Sequence, residues 1–149
     1  MMTFTSEEDR LAHQIVDWML HRDAFSQWLG IELLELAPGR CTLQMRLRPE
    51  MVNGFGIAHG GIVYSFADSA LAFASNSRGR QAVSIETSIS HTGPLHPGDT
   101  ITAVAIEENL GNKIAIYRIE VKNQHAALVA LFKGTVYRTS KEWATTVQT

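Results

Sequence analysis

Hydrophobic and polar positions recur along this chain with two periods, and the switches between them mark out its elements. From Ser6 to Arg22 the apolar residues Leu11, Ile15, Trp18 and Met19 return at three- and four-residue spacing. That spacing builds one stripe, the signature of an amphipathic helix. Ser6 with Asp9 three residues later forms a weak version of the capping box at its start. A second short helical turn is expected over Asp23 to Trp28. Ile31 to Leu36 reads as a short strand, and Pro38-Gly39-Arg40 as a turn. Cys41 to Arg48 then alternates: Cys41, Leu43, Met45 and Leu47 point one way, Thr42, Gln44, Arg46 and Arg48 the other. A period of two marks a strand with one wet face, and the two strands form a hairpin.

The pattern changes again after a glycine cluster at Gly54, Gly56, Gly60 and Gly61. From Ile62 to about Arg78 apolar residues occupy nearly every side of a helix, which predicts a buried one. Gly79 is placed to stop it. Four strands follow, over Ala82 to Ser90, Thr100 to Glu108, Lys113 to Val121 and Ala126 to Arg138, separated by Gly- and Asn-containing turns. The last has apolar residues on both sides (Leu128, Ala130, Phe132; Val129, Leu131), so it is expected to be central and buried on both faces. The polar tail from Ser140 to Thr149 is expected to fray. Helix, two strands, one buried helix and four strands with short turns imply an α+β architecture, an antiparallel sheet wrapped round a single helix.

Composition adds exclusions. The chain has 149 residues, 45% hydrophobic and 19% charged, with a net charge of -2. This length suits one domain, residues 1–149, with 1–28 as an N-terminal helical extension. The charge balance lacks the footprint of a nucleic-acid binder. A single cysteine, Cys41, excludes an internal disulfide and a Cys-based zinc cluster, and no H-E-x-x-H or paired-His spacing points to a metal. Met1 to Arg10 is polar and acidic, unlike a signal peptide. The longest nearly uncharged run, Val52 to Ser77, contains Asp68, His59, two Asn and four Gly, and so does not read as a membrane span. The expectation is a soluble, cytoplasmic protein in a reducing compartment.

The candidate chemistry lies on the buried helix. Asp68 stands among Phe66, Ala67, Ala70 and Leu71, where an unpartnered carboxylate costs several kcal/mol of desolvation. Three readings remain open on the helix alone: an acid on the one polar strip with Ser65 and Ser69, a buried structural acceptor, or a functional acid with a perturbed pKa. His59-Gly60-Gly61 precedes the same helix, whose first N–H groups lack internal partners and can hold an anion or an acyl-transfer oxyanion. The bland reading is a tight turn. The glycines match neither G-x-G-x-x-G nor a Walker loop. Asn53 also has a simple turn reading. Gly60 and Asp68 are eight residues apart, about 12 Å along a helix, so one carbonyl cannot touch both within a subunit. If both serve one reaction, the acid comes from a second, antiparallel copy.

Met51-Val52-Asn53-Gly54 followed by HGGIVYSFADSALAFASNSRG (His59 to Gly79) resembles the PaaI type of hotdog-fold acyl-CoA thioesterases, over roughly Leu29 to Arg138. The resemblance implies a hotdog fold, homodimers paired into tetramers, and sites at the dimer interface. By position it makes Asp68 the general base or nucleophile and Gly60 or Gly61 the oxyanion donor. Asn53 would orient water or the carbonyl, and His59 would hold the start of the helix. Phe55, Ile57, Tyr64 and Phe66 are candidates to line an acyl pocket, with Ser65 beside them. Ala72 replaces a Thr of some relatives, and Gly93-Pro94 lacks a basic residue common before that Pro. Arg78, Arg80 and Lys113 are candidate substitutes for contacts to the coenzyme A phosphates. The implied function is hydrolysis of a coenzyme A thioester, with (hydroxy)phenylacetyl or related aryl and medium-chain acyl groups as candidates. No cofactor is needed, since coenzyme A is part of the substrate, and neither nucleic acid nor membrane is a partner. The alternatives are a non-catalytic acyl-CoA binder and a thioester dehydratase.

Overall fold

The computed structural model describes residues 2–148. Helix α1 spans Glu7–Arg22 and α2 spans Ala24–Leu29. Ser6 caps α1, its side chain accepting from the Asp9 N–H at 3.0 Å. Glu7, Glu8 and Asp9 lie in the first turn and His21 and Arg22 in the last, the charge order the helix dipole favours. Asp23 ends α1 and starts α2: its carboxylate accepts from Ser26 N–H at 2.9 Å and Ser26 Oγ–H at 2.6 Å. Gly30, at φ 76°, closes α2 in the left-handed region that glycine adopts without a Cβ penalty.

The strands are β1 (Glu32–Ala37), β2 (Arg40–Arg46), β3 (Arg80–His91), β4 (Thr100–Leu110), β5 (Ile114–Lys122) and β6 (Leu128–Glu142). They form one antiparallel sheet in the order β1-β2-β4-β5-β6-β3. The long helix α3, Gly60–Asn76, packs against β2, β3, β4, β5 and β6. This is the hotdog fold, with α3 as the filling and α1 packed against β1, α2 and α3. The core joins the inward positions of β2 (Cys41, Leu43, Met45) to Phe66, Ala70 and Phe73 of α3 and to Tyr117 and Phe132. Gly134 of β6 faces Leu71: a Cβ there would stand 2.4 Å from Leu71 Cδ2, so the glycine sets how closely helix and sheet approach.

Two expectations are corrected. β6 is internal, but it lies one strand from the edge and is not buried on both faces. Ala130, Phe132 and Val136 are covered by α3, whereas Leu131 and Tyr137 on the outer face are 40% and 41% exposed. Edge strand β3 is more open still, with Val83 and Ile85 each 57% exposed. The tail is also ordered as far as Gln148, with Thr149 outside the described residues. β6 runs to Glu142, Trp143 is buried and Ala144–Val147 forms a short helix, α4. Trp143 Nε1–H donates to Asn76 Oδ1 at 2.9 Å, and its ring meets Trp18 edge-on at 5.3 Å. One aromatic anchor therefore offsets the polarity of its neighbours. Among the described residues, no helix is long and apolar enough to cross a membrane.

Candidate active site

The site is built from the loop that leads into α3. Asn53 Oδ1 accepts from Phe55 N–H at 2.9 Å, and Asn53 N–H donates to the Ile57 carbonyl at 2.8 Å. Gly56, at φ 77°, supplies the left-handed residue of this turn. Ala58 N–H donates to Leu95 O and His59 N–H to Met51 O, both at 2.8 Å. His59 is thereby fixed as the N-cap of α3: its Nδ1 accepts from Gly61 N–H at 2.9 Å and its carbonyl from Ile62 N–H at 2.9 Å. Of the first three N–H groups of α3, those of Gly61 and Ile62 are taken. The Gly60 N–H has no hydrogen-bond partner among the described residues and is the free donor at this positive helix end.

That donor opens onto a cleft of about 480 Å³, lined by Asn53, Ile57, Gly60, Val63, His91 and Pro94 among others. The Asn53 side-chain oxygen is held in the turn, its Nδ2 makes no hydrogen bond among the described residues, and the residue lines the cleft. Asp68 is not in this cleft. It lies on the half-exposed stripe of α3 formed by Gly61, Ser65, Asp68 and Ala72, and it lines a separate small recess beneath β3 with Ala82 and Ser84. Burial raises the Asp68 carboxyl above the ordinary aspartate range, and the nearby Asp23 carboxylate adds to the rise. Asp23 is held close by a buried relay, in which Ser26 Oγ meets Ser69 Oγ at 2.8 Å beside Asp68.

The other sequence candidates divide. Tyr64 O–H meets Thr87 Oγ1 at 2.6 Å and its ring packs edge-on against Phe132, which ties it to the sheet. Phe66 is fully buried core. Ser65 Oγ–H donates back to the Gly61 carbonyl at 2.7 Å. Phe55, on the loop tip, is 90% exposed. Arg78 and Arg80 lie beyond the far end of α3. Arg78 donates to both carboxylate oxygens of Glu107, at 3.1 and 2.8 Å, and Arg80 to the side chain and carbonyl of Asn112. Both guanidinium groups make exposed hydrogen bonds within the fold. Cys41 is fully buried, donates to the Ala70 carbonyl at 3.3 Å and is pushed up to about 12 by burial, so it is no nucleophile. Among the described residues no cluster of His, Cys, Asp and Glu could hold a metal.

Residues 55–130 match the thioesterase superfamily. A putative esterase of Archaeoglobus fulgidus is 39% identical over 95% of this chain and 92% of its own length. The chain belongs to the thioesterase superfamily. Acyl-coenzyme A thioesterase PaaI of Escherichia coli is 38% identical over 80% of this chain and 86% of its own. A solved structure of E. coli PaaI superimposes with a TM-score of 0.87, covering 89% of this chain and 96% of that one at 35% identity. The phenylacetic acid degradation protein PaaI of Thermus thermophilus, solved as a point variant, superimposes at 0.76 with 43% identity, covering 78% of this chain and all of its own.

Sequence reasoning missed His91. A lone histidine at a strand end carries no local signal, and only the meeting of β3 with the start of α3 places it in the cleft.

Proposed function

We propose that this thioesterase-superfamily protein hydrolyses acyl-CoA thioesters at a site shared between two subunits. The observation that carries the reading is the separation of two complementary halves. An N–H at the positive end of α3 stands in one cleft, and a carboxylate of raised pKa stands two turns further along, in another; neither has a hydrogen-bond partner among the described residues. β3 is an open edge strand beside both: Gly60 abuts His91 at its end, and Asp68 faces Ala82 and Ser84 near its start. Two-fold antiparallel pairing of β3 with a second copy, about its middle, brings Asp68 in the middle of one helix towards the Gly60 end of the other. It also covers Val83 and Ile85. The outward-facing Leu131 and Tyr137 support pairing of such dimers into tetramers.

In this arrangement Asp68 of the partner subunit takes a proton from water. The resulting hydroxide adds to the thioester carbonyl, and the carbonyl π electrons move to oxygen, where the Gly60 N–H receives the charge. Collapse re-forms the C=O bond and breaks the C–S bond. The coenzyme A thiolate leaves and takes the proton from Asp68. Asn53 Nδ2 orients water or the carbonyl. The raised pKa of Asp68 strengthens it as a base near neutral pH. His59 does not serve as a proton-transfer base here, because its Nδ1 is occupied by the Gly61 N–H; this favours hydrolysis over dehydration. The candidate acyl groups are phenylacetyl, hydroxyphenylacetyl and related aryl or medium chains, and the compartment is the cytoplasm.

Thiol release from a panel of acyl-CoAs tests the reading. The panel runs from phenylacetyl-, hydroxyphenylacetyl- and benzoyl-CoA to linear chains from acetyl to palmitoyl. Wild type should turn over at least one of them, and Asp68→Asn should lose ~10²-fold or more in kcat while still folded. Coenzyme A ligands that raise the melting temperature without any turnover would identify a binding protein instead.

A further inference from the structure

We propose that His91 is a second oxyanion donor, its Nε2–H acting with the Gly60 N–H on the same thioester oxygen; this rests on the hydrolase reading above. His91 ends the edge strand β3, where its backbone pairs with Ala130; it is exposed, and its imidazole makes no hydrogen bond among the described residues. Its ring lies over the start of α3. A Cβ built on Gly60 would stand 3.2 Å from His91 Nε2, 3.5 Å from Cε1 and 3.9 Å from Cδ2, so Nε2 is the ring atom that leads towards the helix.

Distance decides what this pair can do. The N and Cβ of one residue are roughly 2.5 Å apart by standard covalent geometry, which puts Nε2 within about 5.7 Å of the Gly60 nitrogen. Two N–H donors that each reach one oxygen at ~2.9 Å can be up to about 5.8 Å apart. The Gly60 N–H and the His91 ring therefore fall within the span that a single oxygen can bridge. The helix supplies no other free donor there, since His59 occupies the Gly61 and Ile62 N–H groups. A Cβ at Gly60 would need the exposed His91 ring to give by only a few tenths of an ångström.

In the reaction His91 keeps its proton. The carbonyl π electrons move to oxygen as hydroxide adds, and both N–H groups strengthen their hydrogen bonds to the developing charge. They relax when the C–S bond breaks. A donor used this way acts on kcat more than on substrate binding.

The test is steady-state thiol release by His91→Ala, His91→Phe and His91→Gln on the best acyl-CoA of the panel. Alanine and phenylalanine should each lower kcat by ~10²-fold or more, with KM changed by less than about threefold. Glutamine, whose amide N–H reaches the Nε2 position, should recover at least about a tenth of wild-type kcat. Alanine and phenylalanine variants with kcat within about threefold of wild type, or with only KM raised, would overturn the inference and leave the hydrolase reading standing. A wild type silent towards every acyl-CoA would overturn both.

Discussion

Asn76 clamps the last turn of α3 to β3 and to the chain's tail, and removing it should be costly. The residue is 4% exposed. Its Nδ2 donates to the Ala72 carbonyl at 2.9 Å and to the Ala82 carbonyl at 3.1 Å. Its Oδ1 accepts from Ala82 N–H and from Trp143 Nε1–H, both at 2.9 Å. Asn76→Ala orphans one buried donor (Trp143 Nε1–H) and one partly buried donor (Ala82 N–H), each at about 1–3 kcal/mol, so a loss of roughly 2–6 kcal/mol is expected. At about 2–4 °C per kcal/mol for a chain of this size, Tm should fall by ten degrees or so. Trp143→Phe removes one of those donors while keeping a ring. It should cost about 1 kcal/mol in hydrogen bonding, and less on top of Asn76→Ala than alone. Urea unfolding at one fixed protein concentration, across the four chains of this cycle, reads both quantities. An Asn76→Ala variant within about 1 kcal/mol of wild type would refute the clamp, and additive single losses would separate the tail from it.

Burial and Asp23 raise the Asp68 carboxyl, so the native state holds that proton where the unfolded chain has released it. Stability present at low pH is therefore lost as pH rises through the folded value. Asp68→Asn should melt higher than wild type at neutral pH, with a difference that shrinks on acidification. A constant or reversed difference contradicts the assignment. His59→Ala should cost about 0.5–2 kcal/mol by uncapping α3, and His59→Asn should restore most of it in the same melts. Gly134→Ala drives a methyl into Leu71 and should cost about 1–3 kcal/mol by overpacking. Combining it with Leu71→Ala should give a loss smaller than the sum of the two, which a double-mutant cycle reads directly.

The repeating features of this fold are plain in the sequence. The period-two run of β2, the stripe of α1 and the apolar α3 each carry their signal over many residues. The separation of Gly60 from Asp68 also follows from helical rise alone. What escaped local reasoning depends on contacts between distant segments. The ordered tail hangs on one Trp meeting Asn76 and Trp18. The outer face of β6 reads as buried because Leu131 is apolar, yet Leu131 there is 40% exposed. The hydrogen bonds of Arg78 to Glu107 and of Arg80 to Asn112 span about thirty residues of sequence and carry no local signal. His91 enters the site only through the end of β3.

A shared active site can be tested by complementation. Asp68→Asn removes the base. Gly60→Pro removes the oxyanion N–H at the first helical position, where proline is well tolerated and where His59, at φ -61° and ψ 134°, already has the extended backbone that precedes a proline. Each variant alone should be inactive. Unfolded together and refolded, half of the dimers carry one chain of each kind, and one of their two sites combines an intact Asp68 with an intact Gly60. The mixture should recover about a quarter of wild-type thiol release. A mixture as inactive as its parents, although mixed dimers have formed, would contradict a site built from two subunits.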